Sequence, residues 1–265
     1  MSSEDKLYVK AQEINKRIFE ALRVDENASK VCALKGGFVL SGFNPVGISA
    51  RRTMDIDMSV PTKSAYNLVM SILIPLSDKF VSEGIVTDYE VKEPAVLGTK
   101  RCSGGISYRY HNPTAKKTFK FCGVDISLFS LDYGVITIAD GMSAFSNERS
   151  VADKLTVIFN KNSFTIARRC RDLYDLYLFD VSQVDLSVDS LKECLQKNNV
   201  DVHKVSNLEL CLGSEKESQF LLSELGKLLE DQRHVVPEYV SSSGVTPEVI
   251  IKSVIESIDV VRRTL

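Results

Sequence analysis

The chain has no apolar run of about 18 residues, so the sequence offers no membrane-spanning helix. It has no Cys-x-x-C pair: Cys32, Cys102, Cys122, Cys170, Cys194 and Cys211 are scattered, which argues against a zinc site or a disulfide framework and for a reducing compartment. It has no surplus of positive charge, since 33 Lys and Arg face 35 Asp and Glu for a net charge of −2. A uniformly basic coat is thereby excluded, though a local basic patch is not. The first residues, Met1-Ser2-Ser3-Glu4-Asp5-Lys6, are polar and lead into no apolar segment, so no secretory signal and a cytoplasmic location are expected. What is present is ample for a core: 265 residues, 44% of them hydrophobic, enough for one large domain or two modest ones.

Periodicity divides this material. Leu7, Ala11, Ile14, Ile18 and Ala21 recur at helical spacing. A short apolar stretch, Val31-Cys32-Ala33-Leu34, runs into Lys35-Gly36-Gly37, and Phe38-Val39-Leu40 opens a helix that breaks near Gly42-Phe43-Asn44-Pro45. Met54 to Val60 alternates as a strand does, ended by Pro61. A helix is predicted over 62–80 with a break or kink at Pro75. Strands are predicted around 85–91, 105–110 and 119–129. After about Asp140 strand signals vanish and helices are predicted over 151–159, 164–179, 188–196, 219–229 and 247–265, the last with Thr246 as N-cap and Pro247 in its first turn, after a linker at Ser241-Ser242-Ser243-Gly244. The expectation is a mixed α/β (α+β) domain over 1–140 and a helical domain over 141–265, the boundary lying near 132–148.

Asp55 and Asp57 are the sharpest chemical feature. Two residues apart on a strand, they point to one face, where their charges repel unless a cation sits between them. Hard carboxylate oxygens select Mg²⁺ or Mn²⁺. Gly36-Gly37, one loop upstream, allows a phosphate to approach backbone N–H groups at a helix start. Asp125, in the second alternation, supplies a third carboxylate if its strand neighbours 54–60, and such a set serves phosphoryl or nucleotidyl transfer with metal ions. Lys154 and Arg169 are cations suited to a triphosphate, and Asp172 and Asp175 share a helix face. Each piece alone has a plainer reading: a strand with a polar outer face, a glycine turn, a helix laced by salt bridges. Between Glu93 and Asp125 there is no acidic residue, while Lys100, Arg101, Arg109, Lys116, Lys117 and Lys120 interleave with Tyr108, Tyr110 and His111. That pattern suits an RNA end, and equally a hairpin guarded by lysines.

In order, Leu34-Lys35-Gly36-Gly37-Phe38, Arg52-Thr53-Met54-Asp55-Ile56-Asp57, Lys154-Leu155 and Arg169-Cys170-Arg171-Asp172-Leu173-Tyr174-Asp175-Leu176 resemble the AbiEii-type nucleotidyltransferases. These are toxin components of bacterial type IV toxin–antitoxin and phage-abortive-infection systems, within the polymerase β-like superfamily. The resemblance spans about residues 30–180, with the remainder matching as a helical tail. It implies a minimal nucleotidyltransferase α/β domain with a mixed sheet, followed by a helical domain. It implies magnesium (or manganese) and a nucleoside triphosphate. The metal-binding set would be Asp55 and Asp57 with Asp125. Gly36, Gly37, Lys154 and Arg169 would bind the nucleotide, and Lys154 and Asp172 would be required for activity. Gly37 stands where many superfamily members carry a phosphate-binding serine, so backbone N–H groups would serve instead. The implied acceptor is RNA, the tRNA 3′ end, and the implied partner a cognate antitoxin encoded nearby. A catalytically silent nucleotide-binding module, a small-molecule nucleotidyltransferase and a D-x-D glycosyltransferase remain alternatives on the residues alone.

Overall fold

Helix α1 (Ser3–Val24) buries one stripe, Ala11, Ile14, Ile18 and Leu22, each wholly removed from solvent, at the 3–4 residue spacing that puts them on a single face. The computed structural model describes residues 3–42, 51–94, 96–97, 100–101, 103–112, 117–138, 141–160 and 163–265. The chain forms two compact units, residues 1–43 with 53–145 and residues 44–52 with 146–265.

The first unit is built on a mixed sheet of seven strands. Its strands are β1 (Ala33–Lys35), β2 (Ile56–Val60), β3 (Asp88–Lys92), β6 (Gly104–Asn112), β7 (Lys117–Leu128), β8 (Val135–Thr137) and β9 (Ser143–Phe145), in the order β3-β6-β7-β2-β1-β9-β8. β2 runs parallel to β7 and β1 parallel to β9, while β1–β2, β6–β7, β3–β6 and β8–β9 are antiparallel. A separate pair, β4 (Val96–Leu97) and β5 (Lys100–Arg101), lies outside this sheet. Ile56, Met58 and Val60 of β2 and Val124 and Ile126 of β7 are fully buried, packing under α1 and α4 (Lys63–Ser82) in one core. α2 (Glu26–Val31) is capped by Asp25, whose carboxylate accepts the Asn27 and Ala28 N–H groups. α4 is capped by Thr62, whose hydroxyl oxygen accepts the Ala65 N–H, and it runs unbroken through Pro75, against the break expected there. Burial of Tyr66, Val69, Met70, Leu73 and Phe80 along one face outweighs the one hydrogen bond that proline removes.

The second unit is helical. It contains α5 (Asn147–Asn160), α6 (Ser163–Arg168), α7 (Cys170–Val181), α8 (Val188–Lys197), α9 (Asn207–Leu212), α10 (Glu215–Glu230), α11 (Pro237–Ser243) and α12 (Pro247–Thr264). Three expectations are corrected here. Strands continue past Asp140, since β9 begins at Ser143. The helix predicted over 164–179 is two, separated at Arg169. Ser241–Ser243 end α11 rather than link helices, with Gly244 as its left-handed C-cap at φ 63°. No described helix is long and apolar enough to cross a membrane. The turn predicted at 43–45 lies outside the described residues.

Candidate functional site

β2 begins at Ile56, so Asp57 is within the strand and Asp55 stands just before it. The parallel register sets Asp57 directly opposite Asp125 of β7. Residues opposite one another share a face, so these two carboxylates are neighbours on the sheet surface. Asp57 is half-buried and Asp125 exposed. On the far side of Asp125 stands Gly105 of β6. Gly105 has φ +137°, and a Cβ there would fall 1.9 Å from the Val124 carbonyl oxygen, so only glycine lets β6 close on this part of β7.

Gly36 completes the corner. It joins β1 to the short helix α3 (Gly36–Gly42) with φ +67°, and a Cβ built on it would lie 2.5 Å from Asp57 Oδ2. The missing side chain is therefore the space beside that carboxylate. The turn carrying Asp55 is held from α1. Gln12 Nε2 donates to the Thr53 carbonyl at 2.8 Å, Asn15 Nδ2 donates to the Met54 carbonyl at 3.3 Å, and Thr53 Oγ1 donates to the Asp55 carbonyl at 3.1 Å. Burial, with the nearby Asp55 charge adding to it, pushes the Cys122 thiol up, leaving it a neutral filler of the core.

The chemistry of these donors fits a hard divalent ion: carboxylate oxygens side by side, with a cradle at Gly36 that a Cβ would fill. Register supplies two carboxylates. Among the described residues, no group of three or more His, Cys, Asp or Glu is closed to metal-ligand spacing.

In the helical unit, four further residues singled out in the sequence meet. Lys154 of α5 donates from Nζ to Asp175 Oδ2 at 2.6 Å and to Asp172 Oδ1 at 3.4 Å, and Arg169 Nε donates to Asp172 Oδ2 at 2.7 Å. Lys154 and Asp175 are buried, whereas the Arg169 side chain is 57% exposed. Sequence reasoning missed Arg51. Its buried guanidinium donates from Nε to Asp175 Oδ1 at 2.8 Å and from Nη1 to the His234 carbonyl at 3.3 Å, and it also bonds the Arg52 carbonyl. Burial alone would raise the Asp175 carboxyl, but the charges of Lys154 and Arg51 and their hydrogen bonds hold it below its ordinary value. Burial likewise opposes the Lys154 charge, and Asp175 and Asp172 overcome it, raising that lysine. An arginine two residues before Thr53 has no periodic partner in the sequence, so only the fold reveals its role.

The basic stretch is more committed internally than its composition implies. Arg109 pairs with Glu90 and, at 3.9 Å, with Asp88. Tyr108 is fully buried, its hydroxyl 2.9 Å from Ser77 Oγ, so it offers no stacking face. Tyr110 packs edge-on against Phe119 and Phe121 and receives Lys10 at 4.3 Å from its ring centre. His111 and Lys120 are exposed. Lys116 lies outside the described residues, and Lys100, Arg101 and Lys117 are placed by their strands alone.

No curated protein matches the chain. Among solved structures, JHP933 from Helicobacter pylori is similar at 15% identity and a TM-score of 0.44, over 100% of this chain and 94% of that one. MenT4, a nucleotidyltransferase toxin from Mycobacterium tuberculosis, is similar at 15% identity and a TM-score of 0.41, over 74% of this chain and 69% of that one. The family model for the nucleotidyl transferase AbiEii toxin of type IV toxin–antitoxin systems matches residues 17–238, and the chain belongs to that family of nucleotidyltransferase toxins.

Proposed function

We propose that this nucleotidyltransferase uses magnesium to move a nucleotide from a nucleoside triphosphate onto an RNA 3′ end, the tRNA acceptor end being the first candidate, and that an antitoxin encoded nearby restrains it. The observation that carries the reading is the corner at which Gly36 opens space beside Asp57, itself in register with Asp125. Asp57 and Asp125, with Asp55 from the adjoining turn, would hold divalent ions, which would supply acidity to an acceptor hydroxyl and charge neutralisation to departing pyrophosphate. The N–H groups of Gly36 and Gly37 are the phosphate donors in this reading. The acceptor oxygen forms a bond to the α-phosphorus as the bond to the β-phosphate bridge breaks, releasing pyrophosphate. Within the helical unit Asp172 fixes the charges of Lys154 and Arg169 through the hydrogen bonds it accepts from both.

The test incubates purified protein with each labelled triphosphate and total RNA, with and without Mg²⁺. Incorporation is expected with wild type and Mg²⁺, and a fall of about 100-fold or more with Asp57→Asn, the scale of losing charge stabilisation at a transferring phosphoryl group. Sequencing of the labelled RNA ends then identifies the acceptor. Incorporation that persists in chelator, or in Asp57→Asn, removes the metal reading. Label entering protein or small molecules but never RNA removes the acceptor reading.

A further inference from the structure

The row that carries Asp57 and Asp125 holds a charged side chain with no part in the reaction above. Lys35, the last residue of β1, stands directly across from Asp57, as Asp57 does from Asp125, so all three side chains leave one face of the sheet. Its Nζ donates to Ser127 Oγ at 2.6 Å. Ser127 lies two residues beyond Asp125, in register with Ser59 of β2, and the two hydroxyls are 3.0 Å apart. Because β2 separates β1 from β7, the lysine spans β2 diagonally, from the level of Asp57 to that of the serines. Ser59 is fully buried and Lys35 half-buried, so the ammonium is pinned rather than waving in solvent.

Like charges set opposite each other on neighbouring strands destabilise the pairing. A flexible lysine is a mobile point charge, and its bond to Ser127 fixes it on the sheet face that Asp57 and Asp125 share. We propose that Lys35 is the resident counter-cation of the Asp57–Asp125 pair, a positioning residue that holds the carboxylates together when no divalent ion is bound and weakens the affinity of the pair for one. The affinity half rests on the metal reading above; the charge-balancing half does not.

The two halves are tested separately. In EDTA, thermal melts of wild type, Lys35→Met, Asp57→Asn and the double variant form a cycle. The loss of melting temperature caused by Lys35→Met is expected to shrink by half or more in the Asp57→Asn background, because one of the charges it balances is gone. An equal loss in both backgrounds makes Lys35 a packing residue and overturns the proposal. If Lys35→Met does not fold, a folded double variant supports the coupling and an unfolded one overturns it. Titration with Mn²⁺, read by the melt and by the paramagnetic signal of free ion, tests the second half. Lys35→Met is expected to bind about tenfold tighter than wild type, the scale of removing one partly screened positive charge, while Lys35→Arg binds as wild type does. Unchanged or weaker binding by Lys35→Met overturns it. Wild type that ignores Mn²⁺ overturns it too, together with the metal reading, while the cycle in EDTA still decides the first half.

Discussion

Gly36 and Gly84 share a backbone conformation and differ in what surrounds it. Both sit at positive φ, +67° and +70°, but a Cβ at Gly36 meets the Asp57 carboxylate whereas one at Gly84 meets nothing within 4 Å. Alanine at either position pays left-handed strain of ~1–2 kcal/mol. Only Gly36→Ala also displaces Asp57. Similar losses in denaturant stability are therefore expected for the two variants, with nucleotide incorporation falling more than about tenfold in Gly36→Ala and holding near wild type in Gly84→Ala. Equal activities would detach the Gly36 corner from the chemistry. His234 gives a second prediction at this scale. Burial, then the charges of Arg171 and Arg51, lower its imidazole from 6.5 to about 4. The native state thus refuses a proton that the unfolded chain accepts below pH 6.5. The stability due to neutral His234 is complete above that pH and drains away as the pH falls toward about 4. Urea midpoints at pH 7, 5.5 and 4.5 are expected to fall less steeply in His234→Gln than in wild type; parallel slopes would show that the histidine titrates normally.

Between elements, the buried charges of the helical unit join a segment from the first third of the chain to α5 and α7. Arg51 and Lys154 both pair with Asp175, and without that carboxylate these two buried cations keep, among the described residues, only one ion pair, the 3.4 Å contact of Lys154 to Asp172. Asp175→Asn is expected to cost ~3–5 kcal/mol of unfolding free energy, Lys154→Met less, because Asp175 then keeps Arg51, and the double variant less than the sum. Denaturant unfolding of the three decides it, additivity being the outcome against a coupled network. The same elements show where a one-dimensional reading stops. Alternation marked Asp57 and Asp125 because a strand with one buried face repeats every second residue over five or more positions. β8 and β9 are three residues each, too short to show a period, although β9 pairs with β1 beside the candidate site. The split at Arg169 was hidden because α6 and α7 both carry helical periodicity and the interruption is a single residue. Contacts such as Arg51 to Asp175 and Lys35 to Ser127, 124 and 92 residues apart, leave no local trace.

At the scale of the whole chain, the family motifs were legible because their order along the chain is itself a signal, although Gly36 opens a short helix and Lys154 stands in the middle of α5. The two units were less so, since residues 44–52 belong with 146–265, and no periodicity marks a short segment as part of a distant unit. The family match ends at residue 238, before α12 begins at Pro247. That helix is nonetheless built into its unit. Ile250, Ile251, Val254 and Ile258 are buried, Ser253 Oγ donates to Asp180 Oδ2 of α7 at 2.6 Å, and Arg262 pairs with Glu209 of α9 at 2.7 Å. The Arg262 hydrogen bond pulls the Glu209 carboxyl down to about 2, keeping that pair charged at neutral pH. Four buried aliphatic side chains are worth roughly 6–12 kcal/mol, as much as the entire margin of a typical domain. A chain ended at Gly244 is therefore expected to lose the cooperative unfolding of its helical unit, seen by calorimetry as a missing or strongly lowered transition. Arg262→Met alone should lower that transition by only a few degrees, since its pair with Glu209 is still reached by solvent, and such pairs contribute ~1 kcal/mol or less. If the shortened chain instead melts as the full one does, α12 is an appendage, and the helical unit draws its stability from residues within the family match.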